Sequence, residues 1–470
     1  MVSNEQLSGR VIQFPGRGRR GQGLPPTTRF KRDAKLAAIP VAYAGRRAKG
    51  LGQRMIGKSP AEIDLDIQVR TAEHLVDVLG DLRGCAAKVG QMASVYRTAM
   101  PLVPLEFGEL AGDALGRLQT SAPPMMPALV HQVLAENLGP GWREEFREFN
   151  ERPAAAASLG QVHRAVWRDG RAVAVKVMYP GARKAVDSDL RLLRSLSGVI
   201  AVFMPGADVA AVIETVCGLV DDELDYHREA AHQQACADAF ADDPQYVVPN
   251  VVAHTDEVLI SDWVEGISVN RLISGGSPHE RGRLGLLIFH FLEEAIHRAG
   301  VLYSDVHPGN FLVLPDGRLA VVDFGACEDY PQDMRSIVIE LGEVVYNGTP
   351  AQLEEALRRH GFVRPEQDFD AEELLRIVTP FRDVLIQEDF RMSSEWLREQ
   401  VDAIAVLRLS NVFRQMTLPP QLTAFARKVG TTIGTLSLLG TDGLGPAFLR
   451  WWPEVAESVR RFENSGRVHS

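Results

Sequence analysis

Four residues in a fixed order constrain this chain more than any other feature: Lys176, Asp305, Asn310 and Asp323. Lys176 follows Val173-Ala174-Val175, so it sits on a strand with apolar neighbours on either side. Asp305 and Asn310 stand five residues apart in Tyr303-Ser-Asp-Val-His-Pro-Gly-Asn310, and Asp323-Phe324-Gly325 follows the strand-like run Leu319 to Val322. Moving a phosphoryl group from ATP needs a cover over the phosphates, a cation on the α/β-phosphates, magnesium ligands and a carboxylate near the attacking oxygen. The four residues supply the last three parts: Lys176 as the cation, Asp305 beside the acceptor, and Asn310 with Asp323 on the metal. Taken singly, each has an ordinary reading as an exposed strand lysine or as turn chemistry. Their order and spacing make the set specific, and ATP and Mg2+ are the expected cofactors.

The surrounding pattern fits an α+β, two-lobed, protein-kinase-like fold with a small β-rich N-lobe, a large helical C-lobe and an N-terminal helical extension. Gln161 to Trp167, the turn around Asp169-Gly170, and Arg171 to Val177 read as a hairpin. A second hairpin is expected over Asn310 to Leu314, Pro315-Asp316-Gly317 and Arg318 to Asp323. Just before the first hairpin lies Pro153-Ala-Ala-Ala-Ala-Ser158-Leu-Gly160, where a phosphate cover belongs, although an alanine run alone is more often a packed helix. The apolar run from Leu259 falls where the lobes would join, so backbone groups from Asp262 to Val264 are expected to meet the adenine edge. His307 is expected to pack or hydrogen-bond within its loop, because Asp305 already fills the role of base.

Segment boundaries follow from composition and capping signals. Residues 1–34 read as a disordered basic arm, 35–145 as a helical extension, 146–265 as the N-lobe with inserted helices, 266–460 as the C-lobe and 461–470 as a polar tail. Two capping boxes, Ser59-Pro-Ala-Glu62 and Thr349-Pro-Ala-Gln352, open expected helices. The four cysteines are scattered without metal-ligand spacing, so neither a disulfide framework nor a zinc site is expected. Neither a signal peptide nor a transmembrane helix is expected. Residues 1–58 carry 13 Lys/Arg against 2 acids, a balance of +11 that leaves −21 for the rest of a chain whose net charge is −10. An acidic body disfavours nucleic acid, whereas the arm suits peripheral contact with an anionic membrane. A cytoplasmic protein touching the inner membrane surface is the expected location.

Two further motifs make the reading particular. Lys88-Val-Gly-Gln91 precedes the β-rich section, and Glu223-Leu-Asp225-Tyr226 followed by Glu229-Ala230 comes after Lys176. With the alanine run and Asp305-Val-His-Pro-Gly-Asn310, these resemble the UbiB/AarF family of atypical kinases over about residues 35 to 450, here as a soluble bacterial member. The resemblance implies that Ala155, Ala156, Ala157 and Ser158 replace a glycine loop over the nucleotide, and that Lys176 pairs with Glu229. It also implies that the helix bearing Lys88 and Gln91 lies across the substrate side, with Lys88 meeting Glu223 and Asp225; Lys88 would then gate the site and influence the chemistry. The family is associated with ATPase or unorthodox kinase activity and with isoprenoid quinone and lipid metabolism, so an unidentified lipid or prenylated small molecule is the implied partner.

Two departures limit what is carried over. No A-P-E segment follows Gly325 to shape a peptide platform. The chain also ends in the largely polar stretch Glu454 to Ser470, whereas some bacterial relatives end in membrane-spanning helices. Two alternatives stay open at this point: a small-molecule kinase of the aminoglycoside or choline type, and a non-catalytic, nucleotide-gated binding protein.

Overall fold

The computed structural model describes residues 124–465 except 158, 185, 188–189, 192–193, 195–196, 198–212, 215–216, 219–223, 388 and 407–411. The basic arm, the capping box at Ser59 and the Lys88-Val-Gly-Gln91 motif lie outside the described residues.

The small lobe is an antiparallel sheet with a helix on one face. Helix α1 (Pro127–Leu138) is followed by strands β1 (Phe146–Phe149), β2 (Ala155–Ala157), β3 (Gly160–Trp167) and β4 (Ala172–Met178). Helix α2 (Tyr226–Ala239), β5 (Tyr246–Val247), β6 (Val251–His254) and β7 (Val258–Asp262) come next. The sheet order is β1-β3-β4-β7-β6, with β2 paired to β3. The expected first hairpin is therefore present as β3 and β4, and Gly170 takes a φ of +99° at its turn, a conformation in which a side chain would be strained.

The two-residue period of β4 sorts its side chains. Val173, Val175 and Val177 are fully buried and pack with Val130, Val133, Leu134, Val258 and Ile260 beneath α1. Lys176 lies between them in sequence and so points to the opposite face, toward α2. Helix α1 falls within the segment 35–145 read as an extension, yet it completes the core of the sheet. The described residues at 182–184, 186–187, 190–191, 213–214 and 217–218 are helical, as expected for an insertion between Tyr179 and Asp222. Their apolar members Ala182, Val186, Leu190, Ile213 and Cys217 form a core with Tyr226 and Ala230 of α2.

The large lobe is helical around short strands. In order come β8 (Ile267–Ser268), α3 (Val269–Gly275), α4 (Pro278–Ala299), β9 (Val301–Tyr303), β10 (Phe311–Val313), β11 (Leu319–Val321) and β12 (Cys327–Asp329). Then follow α5 (Met334–Asn347), α6 (Pro350–Arg359), α7 (Ala371–Asp383), β13 (Arg391–Met392) and α8 (Ser394–Val406). The last elements are α9 (Thr423–Leu439), β14 (Thr441–Asp442), α10 (Leu444–Trp451) and α11 (Pro453–Asn464).

Helix α4 is the central rod. A capping box between Ser277 and Glu280 starts it, and Gly300, in the left-handed region at φ +67°, ends it. Its Leu284, Ile288, Phe291, Leu292 and Ala295 pack with Tyr303, Phe311, Val321 and Phe324. The capping box at Thr349 opens α6 as expected. The second hairpin, β10 and β11, joins β8 and β5 in a four-stranded sheet. No helix among the described residues is long and apolar enough to cross a membrane.

Candidate active site

Lys176 and Glu229 form the innermost pair of the cleft. Lys176 Nζ lies 2.6 Å from Glu229 Oε1 and 3.7 Å from Asp323 Oδ2, bringing together β4, α2 and the segment after β11. Glu229 is nearly sealed, at 3% side-chain exposure, whereas the Asp323 carboxylate is 40% exposed and so open to the cleft. Burial alone would lower the Lys176 ammonium, but Asp323 and Glu229 override it and hold the lysine above its ordinary range. The ammonium also stands 5.2 Å from the centre of the Tyr226 ring. Lys176 is thus a fixed cation facing the cleft, rather than the exposed edge lysine of the ordinary reading.

The segment expected to cover the phosphates is a ribbon. Ala155, Ala156 and Ala157 pair antiparallel with Val162, Gln161 and Gly160, so the alanine run is extended and not helical. Gly160 is demanded by close approach: a Cβ there would come within 2.2 Å of the Val177 carbonyl oxygen. Ser158 lies outside the described residues. Behind the ribbon, His163 is fully buried, and its Nδ1 sits 2.8 Å from the Asn150 carbonyl. Because a carbonyl only accepts, Nδ1 carries the proton and Nε2 accepts from Gln161 Nε2 at 2.7 Å. Gln161 Oε1 in turn accepts from the Met125 amide at 2.8 Å, which ties the ribbon to the chain entering α1.

The loop read as catalytic belongs to the large lobe. Asp305 follows β9, and the chain makes one tight turn over Pro308–Asn310 before β10. Asn310 Nδ2 donates to the Asp305 carbonyl at 3.1 Å, so the five-residue spacing closes a small ring and leaves the amide oxygen for other partners. His307 Nδ1 accepts from the Gly309 amide at 3.1 Å, a packing role inside the loop as expected. Asp323 Oδ1 accepts from the Gly325 amide at 3.0 Å, and a Cβ on Gly325 would sit 3.3 Å from that oxygen and 3.4 Å from Glu229 Oε2. Tyr303, buried beneath, donates to the Asp323 carbonyl at 2.7 Å. After Gly325 the chain forms β12, which pairs back onto β9 and leads into α5 without a peptide platform.

Magnesium fits this donor set. Asn310 and Asp323 present hard oxygens, and among the described residues no group of three or more His, Cys, Asp or Glu could hold a metal alone. Magnesium is held through one or two carboxylates plus phosphate and water oxygens, so a sparse protein shell is what it requires.

The junction between lobes runs from β7 to β8. The Asp262 amide is already committed to the Asn250 carbonyl at 2.9 Å, and the Trp263 amide to the Ala172 carbonyl at 2.9 Å. Val264 lies beyond the end of β7. The Asp262 side chain accepts from Asn250 at 3.1 Å. Asp225, read as a gating residue, caps α2 by accepting from the His227 and Arg228 amides, each at 3.1 Å. Lys88, Gln91 and Glu223 lie outside the described residues.

A family model of the ABC1 atypical kinase-like domain matches residues 117–357, half of the chain. The chain belongs to the ABC1 atypical kinase-like family. This agrees with the UbiB/AarF resemblance of its motifs. Among ABC1 relatives, the mitochondrial atypical kinase coq-8 of Caenorhabditis elegans is 30% identical over 73% of this chain and 46% of its own length. The mitochondrial atypical kinase COQ8 of Saccharomyces cerevisiae is 29% identical over 66% of this chain and 61% of its own. The chain thus spans about half the length of the curated relatives it matches. A solved complex of Rv3197 with erythromycin, from Mycobacterium tuberculosis, is 34% identical, with a TM-score of 0.60 over 85% of this chain and all of that one.

Helix α9, C-terminal to the region matched by the ABC1 model, reaches the loop that carries Asp305. Thr431 Oγ1 accepts from the Val306 amide at 3.3 Å and lies 3.1 Å from the Ser304 carbonyl, while Thr435 Oγ1 donates to the Val306 carbonyl at 2.6 Å. Arg427 Nη2 lies 3.5 Å from Asp305 Oδ1. Next to it Lys428 and Glu293 make a buried pair at 2.7 Å. The sequence reading places these residues only in the helical C-lobe, 266–460, and gives them no role. The signal was the polar stripe Thr423, Arg427, Thr431 and Thr435, spaced by four.

Proposed function

We propose that this protein binds MgATP between its lobes and turns it over slowly, as an atypical kinase or ATPase serving isoprenoid quinone or membrane-lipid metabolism. The observation that carries the reading is the convergence of Lys176, Glu229 and Asp323 from three separate elements, facing the Asp305–Asn310 loop. Magnesium, when bound, would offset the negative charge that develops on the phosphate. Asn310 and Asp323 are the residues suited to hold it. Lys176, kept charged by its two carboxylates, binds the α/β-phosphates, and Glu229 fixes its position. The alanine ribbon, with Ser158 next in sequence, covers the phosphates. The Val264 amide, beyond the committed amides of Asp262 and Trp263, meets the adenine edge. Asp305 orients the acceptor, water or a substrate hydroxyl, and takes its proton.

The direct return of β12 onto β9 favours a small acceptor over a peptide. The erythromycin bound to Rv3197 is a bulky amphiphilic molecule, which supports a lipid or prenylated small molecule as partner here. Lys88 and Gln91, with Glu223 and Asp225, gate the acceptor side, and the basic arm supplies peripheral contact with anionic lipid at the inner membrane surface, from the cytoplasm. The test is turnover by purified protein with MgATP, with and without anionic liposomes and prenylated phenols. Phosphate release stimulated by either addition supports the ATPase reading, and a labelled small molecule supports the small-molecule kinase. Binding of MgATP with neither outcome leaves a nucleotide-gated binding protein.

A further inference from the structure

The cation that α9 brings to Asp305 is incompletely satisfied. Arg427 is 8% exposed, its Nη2 reaches Asp305 Oδ1 only at 3.5 Å, and its Nη1 is buried without a hydrogen-bond partner. One helical turn earlier on the same face, Thr423 is 9% exposed, and its Oγ1 is likewise buried without a partner. A buried guanidinium nitrogen and a buried hydroxyl left unpaired one turn apart on one helix face are each costly unless an acceptor reaches them. Guanidinium favours oxyanions, above all phosphate oxygens. The loop from Ser304 to Asn310 contains no lysine or arginine, and Lys176 is held by Glu229 and Asp323, so Arg427 is the cation that α9 adds beside Asp305.

We propose that Arg427 and Thr423 form an oxyanion subsite on the acceptor side of Asp305, which binds a peripheral oxygen of the phosphoryl group in transfer. The proposal rests on the MgATP reading above. In that step the acceptor oxygen bonds to the γ-phosphorus as the bond from that phosphorus to the β,γ-bridging oxygen breaks. ADP leaves with the electron pair, and the acceptor proton passes to Asp305. Arg427 stays protonated throughout and acts as an arginine supplied in cis. The backbone contacts of Thr431 and Thr435 keep α9 and the loop in register, so the guanidinium stays close to Asp305.

The test uses the full chain with three variants, Arg427→Ala, Arg427→Lys and Thr423→Val. MgATP affinity is measured by calorimetry, turnover by phosphate release, and anion binding by the thermal shift that orthophosphate produces without nucleotide. For Arg427→Ala we expect kcat to fall about 100-fold or more, the loss typical of removing one oxyanion donor, with MgATP affinity within about threefold of the parent. Arg427→Lys should recover only part of the rate, millimolar guanidinium should restore part of the rate to Arg427→Ala, and Thr423→Val should lose about tenfold. Orthophosphate should stabilise the parent and not Arg427→Ala. Parent-like kcat in Arg427→Ala and Thr423→Val, or equal stabilisation by orthophosphate in parent and Arg427→Ala, overturns the subsite. If Arg427→Ala does not fold, Thr423→Val and the parent's orthophosphate response decide. A parent that fails to bind MgATP defeats the nucleotide reading instead, and the orthophosphate comparison still judges the subsite.

Discussion

Lys176 Nζ lies 2.6 Å from Glu229 Oε1, although 53 residues separate them in sequence. The described apolar residues of the insertion between them share a core with Met178, Leu259 and Tyr226, and Glu229 stands one turn into the helix that Tyr226 opens. Lys176→Met would leave the Glu229 carboxylate buried beside methyl groups. Breaking a buried pair from one side costs about 3–5 kcal/mol, so the variant should melt well below the parent, and Lys176→Met with Glu229→Leu should recover much of the loss. Differential scanning calorimetry of the three proteins checks this. Burial pulls the ammonium down and Asp323 and Glu229 raise it further, so its folded value lies above its unfolded one. The stability it contributes is therefore complete below about pH 10.4 and is lost only as pH rises through the folded value. MgATP affinity should show no lysine titration between about pH 6 and pH 9.

Asp323→Asn removes one negative charge from the proposed magnesium site, which has few protein ligands, while its side-chain oxygen can still accept from the Gly325 amide. The apo protein should melt within a few degrees of the parent, and the stabilisation by MgATP should vanish. Thermal-shift titration with ATP, with and without magnesium, is the measurement. Parent-like stabilisation of the variant would move the metal elsewhere.

His163 predicts an acid limit behind the phosphate cover. Its burial holds the imidazole below the usual histidine range, despite the carbonyl of Asn150. The unfolded chain takes up the proton first, so stability is full above about pH 6.5 and falls as pH drops toward the lower folded value. The slope from this one group approaches about 1.4 kcal/mol per pH unit. The loss of melting temperature between pH 7.5 and pH 5 should be smaller in His163→Gln than in the parent.

Residues 1–58 carry +11 against −21 for the remainder, so an anionic bilayer attracts one end of the chain and repels the rest. Each basic residue close to such a surface contributes about 1 kcal/mol, within a Debye length of about 8 Å at physiological salt. Co-sedimentation with anionic liposomes should be reversible by salt and markedly weakened by removal of residues 1–34, with part of the binding retained through Lys35 to Lys58. Equal sedimentation of the two proteins, or none at low salt, would leave the arm without a membrane role.

Most of the site was legible because its parts are local. The Asp305 to Asn310 spacing, the Asp-Phe-Gly tripeptide and the two Asp-Gly turns each act within a few residues, where backbone geometry leaves few choices. The alanine run was less legible, since alanine favours helix, and its extended pairing with β3 depends on Gly160 letting the chain pass close to Val177. Arg427 and Thr431 were illegible for the opposite reason. They act across 122 and 127 residues on a loop that carries no mark of needing them, and only the folded chain brings them together. Asp225 shows a third case, because its carboxylate serves helix capping within three residues of itself whatever else it meets.

Helix α2 belongs to two cores at once. Tyr226 and Ala230 at its start pack with the inserted helical residues and Met178 of the small lobe, whereas Cys236 and Ala237 near its end pack with Phe291 and Tyr303 of the large one. Heating that melts the small lobe must therefore strip apolar cover from the large lobe along the same fourteen residues. The two lobes should lose structure together, as a single cooperative transition with matching calorimetric and van't Hoff enthalpies, rather than as two domains that melt in turn.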